Sequence, residues 1–151
     1  MKLTGTALCS FVVAASLAPP AFAGLGADGT SVQTDLARMK GSLRVTSTAA
    51  FSVHEITSSS GTVVREYVSP DDKVFAVSWH GPFIPDLRQV LAGYYAQYVQ
   101  AASAPHAGGH RHLTITQPGL VVESNGRMRA FYGRAWAPAL LPQNFSVSSI
   151  E

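Results

Sequence analysis

Apolar and polar positions alternate along this chain in a way that separates helical from extended stretches. Over residues 28–40 (DGTSVQTDLARMK), Val32, Leu36 and Met39 recur at helical spacing. Thr30 or Ser31 is placed to cap that turn and Gly41 to stop it, which predicts a short N-terminal helix. Residues 41–50 read as a polar connection. Three strand-like runs follow at 51–57, 62–68 and 74–80, separated by Ser58-Ser59-Ser60-Gly61 and by a turn at 69–73 in which Pro70 fixes one φ. In the third run Phe75, Val77 and Trp79 alternate with Ala76 and Ser78, the period of a half-buried antiparallel strand.

Gly81-Pro82 breaks that strand, and Pro85-Asp86 opens the next element. Leu87, Val90, Leu91, Tyr94, Tyr95, Tyr98 and Val99 keep to one helical stripe, predicting one long helix packed on the Phe75, Val77 and Trp79 face. Residues 103–111 read as a loop. A second set of strands is expected at 113–116, 120–123 and 127–136, with Pro118-Gly119 and the Asn-Gly hairpin signal at Ser124-Asn125-Gly126 between them. Pro138 and Pro142 mark an irregular tail from about residue 137. The order is α-βββ-α-βββ, an α+β fold with an antiparallel sheet built from two strand meanders, one long packed helix and a short N-terminal helix.

The first residues change the picture of what the working protein contains. Lys2 precedes an apolar run at 7–18, Pro19 and Pro20 close it, and Ala21-Phe22-Ala23 supplies the small residues of a secretory cleavage site. The run is too short to span a bilayer, which takes about 20 residues. Cleavage is expected between Ala23 and Gly24, leaving 24–151 as a single periplasmic or secreted domain. Cys9 is the only cysteine and departs with the leader, so the mature domain has neither a disulfide nor a thiol nucleophile. The formal charge of +2 drops by one with Lys2. That balance argues against nucleic acid as a partner, because nucleic-acid binding calls for a strongly basic face. No other apolar run is long enough to form a transmembrane segment in the mature chain.

Few residues carry a chemical signature. His106, His110 and His112, in HAGGHRH, have the one metal-like spacing, able to wrap a transition-metal ion such as Zn, Cu or Ni. Two glycines and the lack of a nearby carboxylate or cysteine weigh against a closed site, and a solvated loop is the simpler reading. Arg65 and Glu66 are adjacent on a strand and point to opposite faces, so they form no acid–base pair with each other. Glu55 is placed to pair across strands with Arg65, an ordinary cross-strand ion pair. His54, Glu66, Trp79 and His80 would serve a hydrolase-type site only if the fold brought them into one cleft. No G-x-S-x-G elbow is present, and no catalytic residue is assigned. Arg127 and Arg129 are read as sharing a strand face. With Trp79 and His80 they make up the candidate binding surface, although edge-strand protection explains the arginines as well.

The segments HEITSSSGTVVREYVSPDDKVFAVSWHGPFIPDLRQVLAGYY, HRHLTITQPGLVVESNGRMRAFYGRAW and GLGADGTSVQTDLARMKG together cover nearly all of the mature chain. They resemble a family of small secreted proteins of Gram-negative bacteria known as a domain of unknown function. The resemblance implies an envelope or secreted setting, and it implies no reaction, cofactor or catalytic residue. The reading is therefore an exported envelope protein acting as a non-enzymatic binding or accessory module, with another envelope protein or a small ligand as partner. The alternatives are metal binding through the histidine loop and a hydrolase-type enzyme.

Overall fold

A computed structural model describes residues 24–104 and 112–151. The predicted leader and its cleavage site, and His106 and His110 of the histidine loop, lie outside the described residues. A 3-10 turn at Gly29–Ser31 leads into α1 (Val32–Met39), which ends at Lys40 in the left-handed conformation. The strands are β1 (Ser42–Ser47), β2 (Ser52–Thr57), β3 (Val63–Val68), β4 (Val74–Gly81), β5 (His112–Gln117), β6 (Leu120–Arg127) and β7 (Ala130–Trp136). Between β4 and β5 come α2 (Leu87–Leu91) and α3 (Tyr95–Ala102), joined by a 3-10 turn at Ala92–Tyr94. The strands form one seven-stranded sheet in the order β1-β2-β3-β4-β7-β6-β5, with every pairing antiparallel. Each meander stays contiguous, and the two meet where β4 pairs β7.

The α+β class holds, and the element order differs from the expectation in four places. The 42–47 stretch, read as a polar connection, is edge strand β1: Leu43 and Val45 share one face, opposite Ile56 and His54, while Arg44 and Thr46 share the other. The long helix is broken at Ala92, whose φ of 45° and ψ of −119° cannot continue a helix. The Asn-Gly pair is not a turn. Asn125 and Gly126 lie within β6 opposite Tyr132 and Phe131, and the chain reverses after Arg127, with Arg129 at φ 63°. A Cβ on Gly126 would collide with the Phe131 ring, so this glycine serves close packing rather than a turn. Finally, the register between β3 and β4 shifts at Tyr67 and Val68, and this irregularity parts Phe75 from Val77 and Trp79.

Two apolar layers result, one on each face of the sheet. The first gathers Val64, Val77, Trp79, Leu120, Val122 and Ala135 beneath Val90 and Leu91 of α2, with Tyr94, Tyr95 and Tyr98 packed against it. The second is built on Tyr67, Phe75, Ala76, Trp136 and Ile150, and the C-terminal segment covers it with Leu140, Leu141, Phe145 and Val147. The tail is thus the second layer of the domain over half of that face. Among the described residues no helix is long and apolar enough to cross a membrane.

Candidate functional site

The tail-side face is organised in rows set by strand register. Val53, Tyr67, Ala76, Trp136 and Val121 form an apolar row under the tail. The next row crosses all seven strands as Arg44, Glu55, Arg65, Ser78, Arg134, Glu123 and Thr114. Arg65 Nε donates to Glu55 Oε2 at 2.8 Å, the cross-strand pair expected from the sequence. Arg134 Nε donates to Glu123 Oε2 at 2.7 Å, and its guanidinium lies over the Trp136 ring. Both arginines also reach the tail. Arg65 donates to the main-chain oxygen of Glu151 at 2.9 Å, and Arg134 to that of Val147 at 3.1 Å. Ser78 Oγ and the Tyr67 hydroxyl donate to the same Glu151 oxygen. Four side chains on three central strands thereby hold the tail through its backbone.

Beyond that polar row no element among the described residues covers the face. His80, Tyr132, Asn125 and His112 occupy one register row across β4, β7, β6 and β5. They line a pocket of about 310 Å³ together with Glu123, Arg134, Ile150 and Glu151. Tyr132 is 56% exposed, high for so large an aromatic side chain. The Arg134 guanidinium is committed to Glu123 and to main-chain oxygens, so it offers little to an incoming anion. Glu123 and Glu151 put acidic groups on the same wall. Asn125, the two imidazoles and the tyrosine hydroxyl supply donors and acceptors without a fixed charge pattern. The His112 ring is within 3.1 Å of Thr114 Oγ1, which steadies it at the rim.

The residues singled out from the sequence divide between the two faces. His80 lines the pocket. Trp79 has the opposite parity and is 2% exposed, its indole lying where a Cβ on Gly133 would sit, so it belongs to the helix-side core and only floors the pocket. As a surface residue it is corrected by strand parity. Arg127 ends β6, whereas Arg129 is in the turn with a left-handed backbone, so the two do not share a strand face. His54 and Glu66 are on the helix side and His80 is on the tail side, so the sheet itself separates the hydrolase-type group. His112, expected as a metal ligand, stands in the pocket row with His80; among the described residues no three His, Cys, Asp or Glu side chains gather to hold a metal. Tyr132, Asn125 and Glu123 were not singled out, because their convergence with His80 depends on β7 pairing β4 as well as β6 and on a turn later than the Asn-Gly signal, neither of which a local pattern announces.

A polar group on the helix side also escaped the sequence. Asp35 of α1 and Glu66 of β3 are both fully buried, with Gln89 of α2 beside them. Gln89 Nε2 donates to Asp35 Oδ1. Burial pushes the Glu66 carboxyl well above the usual carboxylate range, and hydrogen bonding and repulsion from Asp35 add to the rise. Burial raises Asp35 too, opposed by Glu66, Gln89 and Arg38. The parity of Glu66 with Val64 was the available signal.

No curated protein and no solved structure matches the chain. Residues 21–150 match the family described as "Protein of unknown function (DUF2844)", a match spanning nearly all of the described fold, and the chain belongs to that family.

Proposed function

We propose that this chain is an exported protein of the bacterial envelope whose mature domain, residues 24–151, is a non-enzymatic binding module acting through the pocket on the open half of the sheet. The observation that carries the reading is the row of His80, Tyr132, Asn125 and His112. These planar polar side chains come from four neighbouring strands and lie next to a wall on which the one guanidinium among the described residues, that of Arg134, is already paired. Strand spacing of about 4.8 Å makes the row roughly 14 Å long, the scale of a small ligand lying flat. Concave sites with a few convergent polar groups are where ligands bind. The exposed Tyr132 ring and the Asn125 amide suit an uncharged, hydroxyl-rich molecule better than an anion.

Native mass spectrometry of protein recovered from the envelope tests export and binding together. The expected species starts at Gly24 and carries a small ligand that is lost in Tyr132→Ala. Unprocessed protein would remove the exported assignment, and an identical ligand-free mass for wild type and variant would remove the binding one. Metal binding through His106, His110 and His112 is a separate reading. Titration of metal-free protein with Zn, Cu and Ni decides it, since unchanged affinity in the triple alanine variant would eliminate that site.

A further inference from the structure

The binding pocket leaves the buried acids on the helix side unused. Glu66 is 0% exposed, lies in β3 between core residues Val64 and Val68, and has no hydrogen-bond partner of good geometry among the described residues on either carboxyl oxygen. Asp35 is equally buried; its Oδ2 is likewise without a partner, while Oδ1 accepts from Gln89. His54 of β2 stands directly opposite Glu66 in the register, its Nδ1 buried and unpartnered and its Nε2 within 3.1 Å of Ser52 Oγ. The residue opposite Glu66 on β4 is Val77, which is apolar. Arg38, three residues beyond Asp35 on α1, is the cation whose field favours the ionised form of Asp35. Among the described residues, the polar groups placed around Glu66 are therefore the Asp35 carboxyl and the His54 imidazole, while Gln89 and Arg38 act on Asp35.

Two neighbouring carboxylates with only the Gln89 amide as a donor between them cannot both remain ionised in a buried site. One proton between them removes the conflict: protonated Glu66 becomes a donor, and ionised Asp35, already held by Gln89 and favoured by Arg38, becomes its acceptor. Asp35 is the only buried acid on α1, which packs on β2 next to β3, and its carboxyl lies close enough to that of Glu66 for each to act on the other. We infer that Asp35 and Glu66 share a single proton as a latch holding α1 on the sheet, and that loss of this proton in alkaline surroundings releases α1 and uncovers the apolar strand surface around Ile56 and Val64.

The raised pKa of Glu66 sets the sign. The folded state keeps a proton that the unfolded chain releases in the ordinary carboxylate range. Stability is therefore lost as pH rises from that range through the folded value of Glu66, and is constant above it. His54 acts oppositely. Burial lowers its pKa, with Asp72 opposing, so its contribution is lost as pH falls below the ordinary imidazole value.

Hydrogen exchange on the purified full-length protein tests the latch. The measured quantity is the exchange rate of the α1 amides relative to those of β6 in the same sample, from about pH 5 to about pH 9, which cancels the intrinsic pH dependence of exchange. In the wild type this ratio should climb by up to about tenfold per pH unit through the window in which only the closed state holds the proton. In Glu66→Gln, which keeps a neutral donor, the climb with rising pH should be absent, leaving only the opposite change at low pH that His54 contributes. A wild-type ratio that does not change with pH, or an equal climb in Glu66→Gln, would overturn the inference. If Glu66→Gln does not fold, Asp35→Asn serves instead. Removing the neighbouring charge should move the climb to lower pH, and an unmoved climb would count against a shared proton.

Discussion

Arg65 and Arg134 each hold a glutamate on the neighbouring strand and a main-chain oxygen of the C-terminal segment, so each guanidinium ties sheet to tail. The ion pairs alone are worth little, because all four side chains are between a quarter and two fifths exposed. The hydrogen bonds to the tail matter more, since they compensate carbonyl groups brought down onto the sheet. Arg134→Ala should lower stability by about 1–2 kcal/mol, read from the urea midpoint. Glu123→Ala should cost less than that, because it leaves the contacts to Val147 and Ile150 in place. An equal loss in both variants would assign the whole effect to the ion pair. The Glu55–Arg65 pair was legible in advance, since its partners stand at matching positions on consecutive strands. The Arg134–Glu123 pair was not, because the hairpin was expected to turn at Asn125-Gly126, three residues before the turn at Met128-Arg129.

At the scale of elements, the break between α2 and α3 is the feature local pattern hid. The apolar stripe from Leu87 to Val99 is continuous, and neither Ala92 nor Gly93 interrupts its period. In the structure Ala92 takes a φ of 45° with ψ near −119°, a region in which glycine is at ease and alanine is not. Ala92→Gly should therefore stabilise the protein by about 1 kcal/mol, seen as a higher thermal midpoint. A lower midpoint would mean that the bend is not a strained conformation. The start of α2 was readable. Pro85-Asp86 marks the entrance, and Asp86 stands at the cap, accepting from Arg88 N at 2.9 Å, with the helix itself starting at Leu87. Edge strand β1 was missed because its Ser- and Thr-rich face is solvated, and only pairing with β2 gives it strand identity.

For the whole molecule, the tail decides which part of the sheet is open. Phe145 meets Phe75 at 4.8 Å and Phe51 at 5.2 Å between ring centroids, both edge-on, and joins the layer that also contains Tyr67 and Ile150. Phe145→Ala should destabilise the domain by about 2–4 kcal/mol. It should also raise the exposure of Trp136, measured by fluorescence quenching; unchanged quenching would show that the tail stays seated without this ring. The uncovered half of the same face is the proposed binding surface, so the tail both completes the second core layer and forms a wall of the pocket through Ile150 and Glu151.

The sequence by itself determined the class of the fold, the two meanders, most of the turns and the opposite parity of Arg65 and Glu66, because these follow from local periodicity and from residues that restrict φ. Family membership was legible for the same reason, being carried by contiguous stretches. Only the tertiary structure decided that β4 pairs β7 and that the tail lies on one half of the sheet. It likewise decided that His80, Tyr132, Asn125 and His112 form one row, and that Asp35 and Glu66 are buried next to each other. Each of these joins residues far apart in the chain. Their proximity is set by sheet order and by the burial of two apolar faces at once, a free-energy balance over the whole domain that no single stretch of sequence contains.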